Sequence, residues 1–215
     1  MTPRRLGIFG ARGHGRDMLT FARSSGDYDE IVFIDDEYYE MQVCGEPVVT
    51  LEAFSAAQGE RDVVAIAVSD GRIRETLSNR CQAAGLSVVG LRAIQAVVSP
   101  HAAIAEGAVL SPFSVISSNV RIGKSFQANT FSSVAHDCII GDYVTLGPGA
   151  LLSGCIHVED YAYIGSGAVI RQGSLEQPRR IGKGAIIGMG AVVLNDIPAA
   201  TTVVGNPAGQ IVANS

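Results

Sequence analysis

His136 and Asp137 stand side by side in the segment Ser132-Ser-Val-Ala-His-Asp-Cys138. A neutral imidazole can take a proton from an attacking amine or hydroxyl, and an adjacent carboxylate can orient the ring and raise its basicity. The pair therefore predicts general-base chemistry. An ordinary surface histidine is the alternative interpretation.

A glycine-rich turn, Gly10-Ala-Arg-Gly-His-Gly15, lies between an apolar segment and a segment with helical spacing. Backbone N–H groups of such a turn can approach a phosphate at the start of the helix. Asp35 and Asp36, which end the next apolar segment, can accept hydrogen bonds from a ribose or a base. The spacing differs from the dinucleotide fingerprint G-x-G-x-x-G. We therefore predict a nucleotide-type ligand, with a dinucleotide or a purely structural turn as alternatives.

From Val98 onward an aliphatic side chain returns every six residues. Thirteen positions stay in phase through Ile170, twelve of them Val, Ile or Leu, and after a slip of five residues the series resumes at Ile181. Six is the repeat of a parallel β-helix, in which one branched residue per face points inward. The slip falls in the polar segment 171–180 and predicts a loop extruded from one coil. Glycines follow many of the aliphatic residues and are predicted to suit the corners through their backbone freedom; they are Gly123, Gly141, Gly147, Gly165, Gly182 and Gly188.

The first ninety residues alternate between strand and helix patterns, which predicts a small parallel α/β sheet. The predicted strands are 6–9, 31–34, 63–68 and 86–89, and the predicted helices are 16–24 and 73–84. The predicted domains are a Rossmann-like domain over 1–92 and a β-helix over 93–215. Segments around Pro198 and Pro207 end the solenoid as a cap.

Composition excludes several classes of protein. A net charge of −5 argues against a general nucleic-acid binder, and no apolar run approaches the ~20 residues of a membrane span. The chain start lacks a secretory pattern, so we predict a cytoplasmic protein. The four cysteines form no CxxC pair and are predicted to be buried free thiols. Because residues 18 apart stack in this fold and no two histidines share that register, we predict no metal site, with a site shared between subunits as the alternative.

Together these features resemble the left-handed β-helix nucleotide-amino-sugar N-acetyltransferases of the bacillosamine, perosamine and sialic-acid pathways. The resemblance rests on the hexads, the GxxGHG turn, the two aspartates, the His-Asp pair and the terminal Val-x-Gly-Asn-Pro-Ala. It covers the chain from Leu6 to about Ile211. It implies a cytoplasmic homotrimer in O-antigen or lipopolysaccharide biosynthesis, with acetyl-CoA in a groove between β-helices and the nucleotide on the α/β domain.

The resemblance also implies roles for individual residues. His136 would be the catalytic base and Asp137 its acidic neighbour. The residues implied to contact the nucleotide sugar are Gly13, His14, Gly15, Asp35, Asp36, Ser69 and Asp70. Those implied to meet the CoA arm are Ser153, Gly154, Ser166 and Met189. Thr145 stands where some relatives carry a second histidine near the thioester, and Gly209 replaces a usual lysine.

The implied activity is direct transfer of an acetyl group to the amine of a nucleotide-linked 4-amino-4,6-dideoxy sugar, GDP-perosamine being the nearest example. UDP, GDP and dTDP all fit the glycine turn. An O-acetyltransferase acting on a sugar hydroxyl, a non-catalytic trimeric scaffold and a dinucleotide-dependent enzyme remain as alternatives.

Overall fold

The computed structural model describes residues 4–38 and 40–211. Its N-terminal part is a six-stranded sheet with strand order β3-β4-β2-β1-β5-β6. The strands are β1 (Arg5–Phe9), β2 (Glu30–Ile34), β3 (Gln42–Val43), β4 (Glu46–Val49), β5 (Val63–Ile66) and β6 (Ser87–Val88). The helices are α1 (Gly13–Ser25), α2 (Leu51–Ala56) and α3 (Gly71–Ala83). The predicted parallel α/β sheet is confirmed, since β1 pairs in parallel with both β2 and β5.

The sequence analysis missed β3, β4 and α2. Strands β3 and β4 form an antiparallel hairpin around Cys44 and Gly45, both in the left-handed region with φ of 52° and 83°. They are two and four residues long and contain Pro47, so they show no apolar alternation. Helix α2 spans only six residues, too few for a helical period to emerge.

The remaining chain forms a parallel β-helix of three sheets, confirming the hexad prediction. Face 1 carries β7 (Leu91–Arg92), β10 (Val109–Leu110), β13 (Gln127–Ala128), β16 (Thr145–Leu146), β19 (Tyr163–Ile164), β22 (Ile186–Ile187), β24 (Thr202–Val204) and β25 (Gly209–Gln210). Face 2 carries β8 (Val97–Val98), β11 (Val115–Ile116), β14 (Ser133–Val134), β17 (Leu151–Leu152), β20 (Val169–Ile170) and β23 (Val192–Val193). Face 3 carries β9 (Ala103–Ile104), β12 (Arg121–Ile122), β15 (Ile139–Ile140), β18 (Ile156–Val158) and β21 (Arg179–Ile181).

The hexad residue is the inward one in each strand. Leu146, Ile164 and Ile187 stack along face 1 with no exposed surface. Paired residues are 18 apart, as in Thr145 with Tyr163, until Val158 pairs with Ile181 across the five-residue slip. The inserted residues therefore leave the register of the coils unchanged. The last coil ends in β25, which pairs antiparallel with β24 as a cap.

The predicted reason for the hexad glycines was wrong. Glycines such as Gly141 do not adopt the left-handed conformation; a Cβ there would instead meet the backbone of Asp160 in the next coil at 2.6 Å. The left-handed residue comes three positions after the hexad residue, as at Asp137 (φ 59°) and Gly149 (φ 68°). Close stacking of coils, rather than backbone freedom, thus selects glycine directly after the hexad residue.

The cysteine prediction was partly wrong. All four thiols are free, but Cys44 is exposed, whereas Cys81, Cys138 and Cys155 are buried. Within the described ranges, no helix combines the length and apolarity needed to cross a membrane.

Candidate active site

His136 lies at the corner where face 2 turns into face 3, between β14 and β15. Its Nδ1 is 2.7 Å from Asp137 Oδ2. The other oxygen, Asp137 Oδ1, accepts a hydrogen bond of 3.2 Å from Asn119 Nδ2 one coil earlier. These hydrogen bonds from His136 and Asn119 lower the pKa of Asp137, so it is ionised at neutral pH. An ionised carboxylate only accepts hydrogen bonds, so in the neutral imidazole this contact selects the tautomer with the proton on Nδ1 and the lone pair on Nε2.

Gly154, one coil after His136, supports the imidazole from the other side. A Cβ at this position would overlap the ring, with Nε2 2.5 Å away. The His136 carbonyl accepts a hydrogen bond of 3.0 Å from the Cys155 N–H, which holds the two corners together. Half of the His136 side chain is exposed (52%), so the lone pair is open to a substrate.

Cys155 also places its thiol at this corner. His136, Asp137 and Cys155 offer ligand atoms within 4.8 Å of one another, a possible three-ligand arrangement for a soft cation. The sequence analysis compared only histidines and did not consider this group. A cation bound there would compete for the imidazole nitrogens that a general base needs.

A cleft of about 470 Å³ lies at the carboxyl ends of β1, β2 and β5. Gly10, Asp35, Asp36 and Ser69 line it together, as expected for the crevice of a parallel sheet. Asp35 Oδ2 accepts a hydrogen bond of 3.0 Å from the Ala11 N–H and so fixes the glycine turn.

Asp36 is held by two partners at the rim of this cleft. It accepts a hydrogen bond of 3.0 Å from the Leu51 N–H, and its other oxygen lies 2.6 Å from Arg80 Nη2. Burial alone would raise the Asp36 pKa, but the hydrogen bonds from Leu51 and Arg80, with the charge of Arg80, lower it.

Gly13, His14 and Gly15 form the first turn of α1. Gly15 packs against the Gly10 carbonyl so closely that no Cβ would fit, which explains the glycine. His14 is half-buried, and desolvation lowers its pKa. Its Nε2 is buried, without a hydrogen-bond partner among the described residues.

Ser69 and Asp70 join this cleft to face 1. The Ser69 carbonyl accepts a hydrogen bond of 2.7 Å from the Thr145 hydroxyl, which is itself buried. Asp70 caps α3 by accepting hydrogen bonds from the N–H groups of Arg72 and Ile73 at 2.9 and 3.0 Å. The hydroxyl of Thr145, predicted to lie near the CoA thioester, is therefore engaged in the contact between the two parts of the chain.

The other residues predicted to meet the CoA arm fall at two corners. Ser153 and Gly154 share the corner of His136, while Ser166 and the 80% exposed Met189 lie between faces 1 and 2. The structure thus divides the predicted site residues among the cleft, the neighbouring pocket of Asp70 and Thr145, the His136 corner and the Met189 corner. The predicted contacts Gly13, His14 and Gly15 form the start of α1 and are not among the residues that line the cleft.

Three residues near these sites escaped the sequence analysis. Arg12 and Arg80 line the cleft, and Asn119 binds Asp137. Arg12 lies inside the glycine turn and Asn119 lies 18 residues before Asp137, so both had a sequence signal. Arg80 had none, because helix α3 brings it to Asp36 across 44 residues.

Two known protein families match parts of this chain. The family described as PglD N-terminal domain matches residues 5–81, and the bacterial transferase hexapeptide family (six repeats) matches residues 119–154. The β-helix fold and these two matches together indicate a hexapeptide-repeat transferase.

Individual relatives narrow this class. GDP-perosamine N-acetyltransferase of Escherichia coli O157:H7 is 43% identical over 211 residues, 95% of each chain. The structure of WeeI from Acinetobacter baumannii AYE is 42% identical with a TM-score of 0.93, covering 96% of this chain and 99% of WeeI. PerB from Caulobacter crescentus, in complex with CoA and GDP-perosamine, is 29% identical with a TM-score of 0.87, covering 96% and 97%.

The chain belongs to the hexapeptide-repeat sugar N-acetyltransferases. The structural similarity also confirms the predicted left-handed β-helix after an α/β domain.

Proposed function

We propose that this protein transfers the acetyl group of acetyl-CoA to the amine of a nucleotide-linked 4-amino-4,6-dideoxy sugar, with GDP-perosamine as the first candidate. The single observation that carries the chemistry is the corner at which Asp137 holds the His136 Nδ1 proton and leaves Nε2 free. The substrate class is supported by the relative from Escherichia coli O157:H7 and by the ligands in the PerB complex.

In the proposed reaction, the nitrogen of the sugar amine forms a bond to the acetyl carbon while His136 Nε2 removes a proton from that amine. The bond from that carbon to sulfur breaks, and the same proton passes to the leaving thiolate. Asp137 stabilises the transient imidazolium. General-base assistance of this kind is worth about 10²–10⁴ in rate, and placing both substrates together supplies proximity.

We infer that one chain does not complete this site by itself. The cleft is attached to face 1 through Thr145 and Gln127, whereas His136 lies at the corner between faces 2 and 3, opposite face 1. Thr145 is nine residues, half a coil, beyond His136. We infer that the cleft of one copy works with His136 of a neighbouring copy in a homotrimer.

An apolar surface on face 2 supports this assembly. Val97, Val115 and Leu151 point outward with 60, 37 and 42% exposure. At the adjoining corner, Phe113 and Phe131 stack with ring centroids 5.2 Å apart and are also exposed. An exposed apolar patch of this kind marks a protein interface.

The cleft supports a nucleoside diphosphate as the part of the substrate held by the N-terminal domain. Arg12 offers a cation beside the turn, and Asp35 and Asp36 lie where a ribose or base would bind. We place the reaction in the cytoplasm, in the supply of amino sugars for O-antigen or lipopolysaccharide, as the resemblance implies.

The test is thiol release from acetyl-CoA with a panel of GDP-, UDP- and dTDP-4-amino-4,6-dideoxy sugars, run beside His136→Asn. We expect turnover with one nucleotide, an alkali-stable amide product, and loss of most turnover in the variant. His101→Asn is the comparison variant: His101 lies at the same corner two coils before Asp137 and lines a pocket with it, but none of the described hydrogen bonds joins the two residues, so most turnover should remain.

Each negative outcome has its own meaning. A product hydrolysed by mild alkali would identify a hydroxyl acceptor instead. Binding of acetyl-CoA and sugar nucleotide without turnover would indicate a scaffold. A near-normal rate for His136→Asn would remove the general base from the proposal.

A further inference from the structure

Arg74 on α3 is a buried cation at the contact between the N-terminal sheet and the β-helix, with only 1% of its surface exposed. Its guanidinium donates hydrogen bonds to four main-chain carbonyls. Nη1 reaches Val68 and Ser69 at 2.8 and 3.1 Å, Nε reaches Ser125 at 2.8 Å, and Nη2 reaches Val144 at 3.2 Å.

These four carbonyls belong to two different parts of the molecule. Val68 and Ser69 follow β5 and line the cleft. Ser125 lies two residues before β13 and Val144 directly precedes β16, in successive coils of face 1. One planar guanidinium therefore spans the end of the cleft and two coils of the β-helix.

Neighbouring contacts also join the end of the cleft to face 1. Gln127 Nε2 donates to the Ile66 carbonyl at 2.8 Å, and the Thr145 hydroxyl donates to the Ser69 carbonyl. Gly71, at the start of α3, packs so closely on the Tyr143 carbonyl that no side chain would fit. Every one of these bonds fixes the segment 66–71 against face 1.

Arg74 has no carboxylate partner among the described ion pairs. Burial of a charge outside an ion pair is costly, and the four hydrogen bonds to carbonyls, with the nearby charge of Asp70, offset part of that cost. The guanidinium's fork of donors in a fixed geometry is suited to holding several carbonyls in one arrangement.

We propose that Arg74 is a positioning residue, which fixes the nucleotide cleft on its own β-helix so that the sugar amine reaches the His136 corner of a neighbouring copy. The inference rests on the proposed function, because it assumes that the cleft and His136 act on one substrate. A displacement of about 1 Å far from the chemistry can cost on the order of 10²-fold in rate.

The test compares Arg74→Met and Arg74→Lys with the unaltered protein. For Arg74→Met we expect a fall in kcat of at least about tenfold and a raised KM for the nucleotide sugar. The KM for acetyl-CoA should stay within about threefold, and the affinity for GDP, UDP or dTDP alone should change less than the KM for the nucleotide sugar, since most residues that line the cleft lie outside the segment that Arg74 holds. Arg74→Lys keeps the charge but has fewer directed donors, so its kinetic constants should lie between those of Arg74→Met and those of the unaltered protein.

Arg23→Met is the matched control, because it removes an arginine of the same domain that pairs with Glu46 at the surface. Unchanged kinetics in Arg74→Met, or a uniform loss of all parameters matching a smaller folded fraction, would overturn the inference.

Hydrogen exchange of segment 66–71 gives a readout that does not need turnover. We expect the amide hydrogens of segment 66–71 to exchange faster in Arg74→Met. Those of the β-helix strands that carry the hexad residues should exchange at unchanged rates. Absence of turnover in the unaltered protein would refute the proposed function, whereas unchanged exchange in the variant would refute the role of Arg74.

Discussion

Asp137 occupies a corner position whose backbone is left-handed (φ 59°), a conformation that Asp and Asn tolerate better than most residues. There its carboxylate reaches both the His136 ring and the Asn119 amide. Asp137 thus suits the left-handed backbone of the corner and also supplies the carboxylate that the proposed chemistry needs beside His136.

Asp137→Asn should separate these two demands. The amide suits the same backbone but can donate to Nδ1, which would move the ring proton to Nε2 and block the base. We expect kcat to fall on the order of 10²-fold or more, while the melting temperature stays close to that of the unaltered protein. Asn119→Ala, which removes one support of Asp137, should have a much smaller effect; equal losses in both variants would contradict the tautomer argument.

His14 gives the folded state a pH dependence. Desolvation lowers its pKa in the folded chain, so the unfolded chain binds a proton more readily as pH falls through about 6.5. Stability should therefore decrease from pH 7.5 to pH 5.5. Urea unfolding at both pH values should show a smaller decrease in the free energy of unfolding for His14→Gln than for the unaltered protein. Part of the decrease should remain in this variant, because the pKa of His157 is also lowered. An unchanged decrease would assign the effect elsewhere.

At the scale of elements, each two-residue strand of the β-helix presents one inward and one outward side chain. Ile187 is fully buried, whereas its neighbour Ile186 is 46% exposed in the same strand, β22. Both residues pair across face 1 with the preceding coil.

This contrast gives a matched stability test. Ile187→Ala should lower the free energy of unfolding by about 2–5 kcal/mol through a cavity in the stacked core. Ile186→Ala should cost less than about 1 kcal/mol. Denaturant unfolding at a fixed protein concentration measures both, and equal losses would mean that the inward row does not carry the core.

The elements differ in how far their sequence reveals them. The hexads predict the β-helix because every coil repeats one constraint. The slip at 171–180 predicts its loop too long by two residues, because Arg179 and Arg180 belong to β21. The hairpin of β3 and β4 carries no periodic signal, since it is short and its bend depends on Cys44 and Gly45. Of the site, the His136 corner follows from the 18-residue stacking that places Asn119 beside Asp137 and Gly154 beside His136. The placement of the cleft on face 1 does not, because Arg74 and Thr145 act across 51 to 76 residues.

At the scale of the whole molecule, the opposed positions of cleft and His136 predict complementation between inactive copies. We consider His136→Asn, which keeps the cleft, and Arg12→Glu, which keeps the corner and repels a diphosphate. Each alone should be nearly inactive. Co-refolded in equal amounts, they should regain about one quarter of the original rate, because half of the clefts and half of the histidines are intact.

The control is an equal mixture of the unaltered protein and the variant that carries both substitutions. This mixture contains the same amount of each substitution as the mixture of single variants. If cleft and His136 worked within one copy, this mixture would retain half of its activity while the mixture of single variants would stay inactive. Sedimentation should show a trimer throughout.

The inserted residues between β20 and β21 leave from the corner that stacks on Gly154, where the Gly173 N–H donates to the Gly154 carbonyl at 3.1 Å. Because Ile181 returns to the inward row, the chain can gain or lose residues here without altering any other coil. The register of the coils therefore sets no length for this segment, and other segments can be grafted beside the proposed reaction centre on an unchanged scaffold.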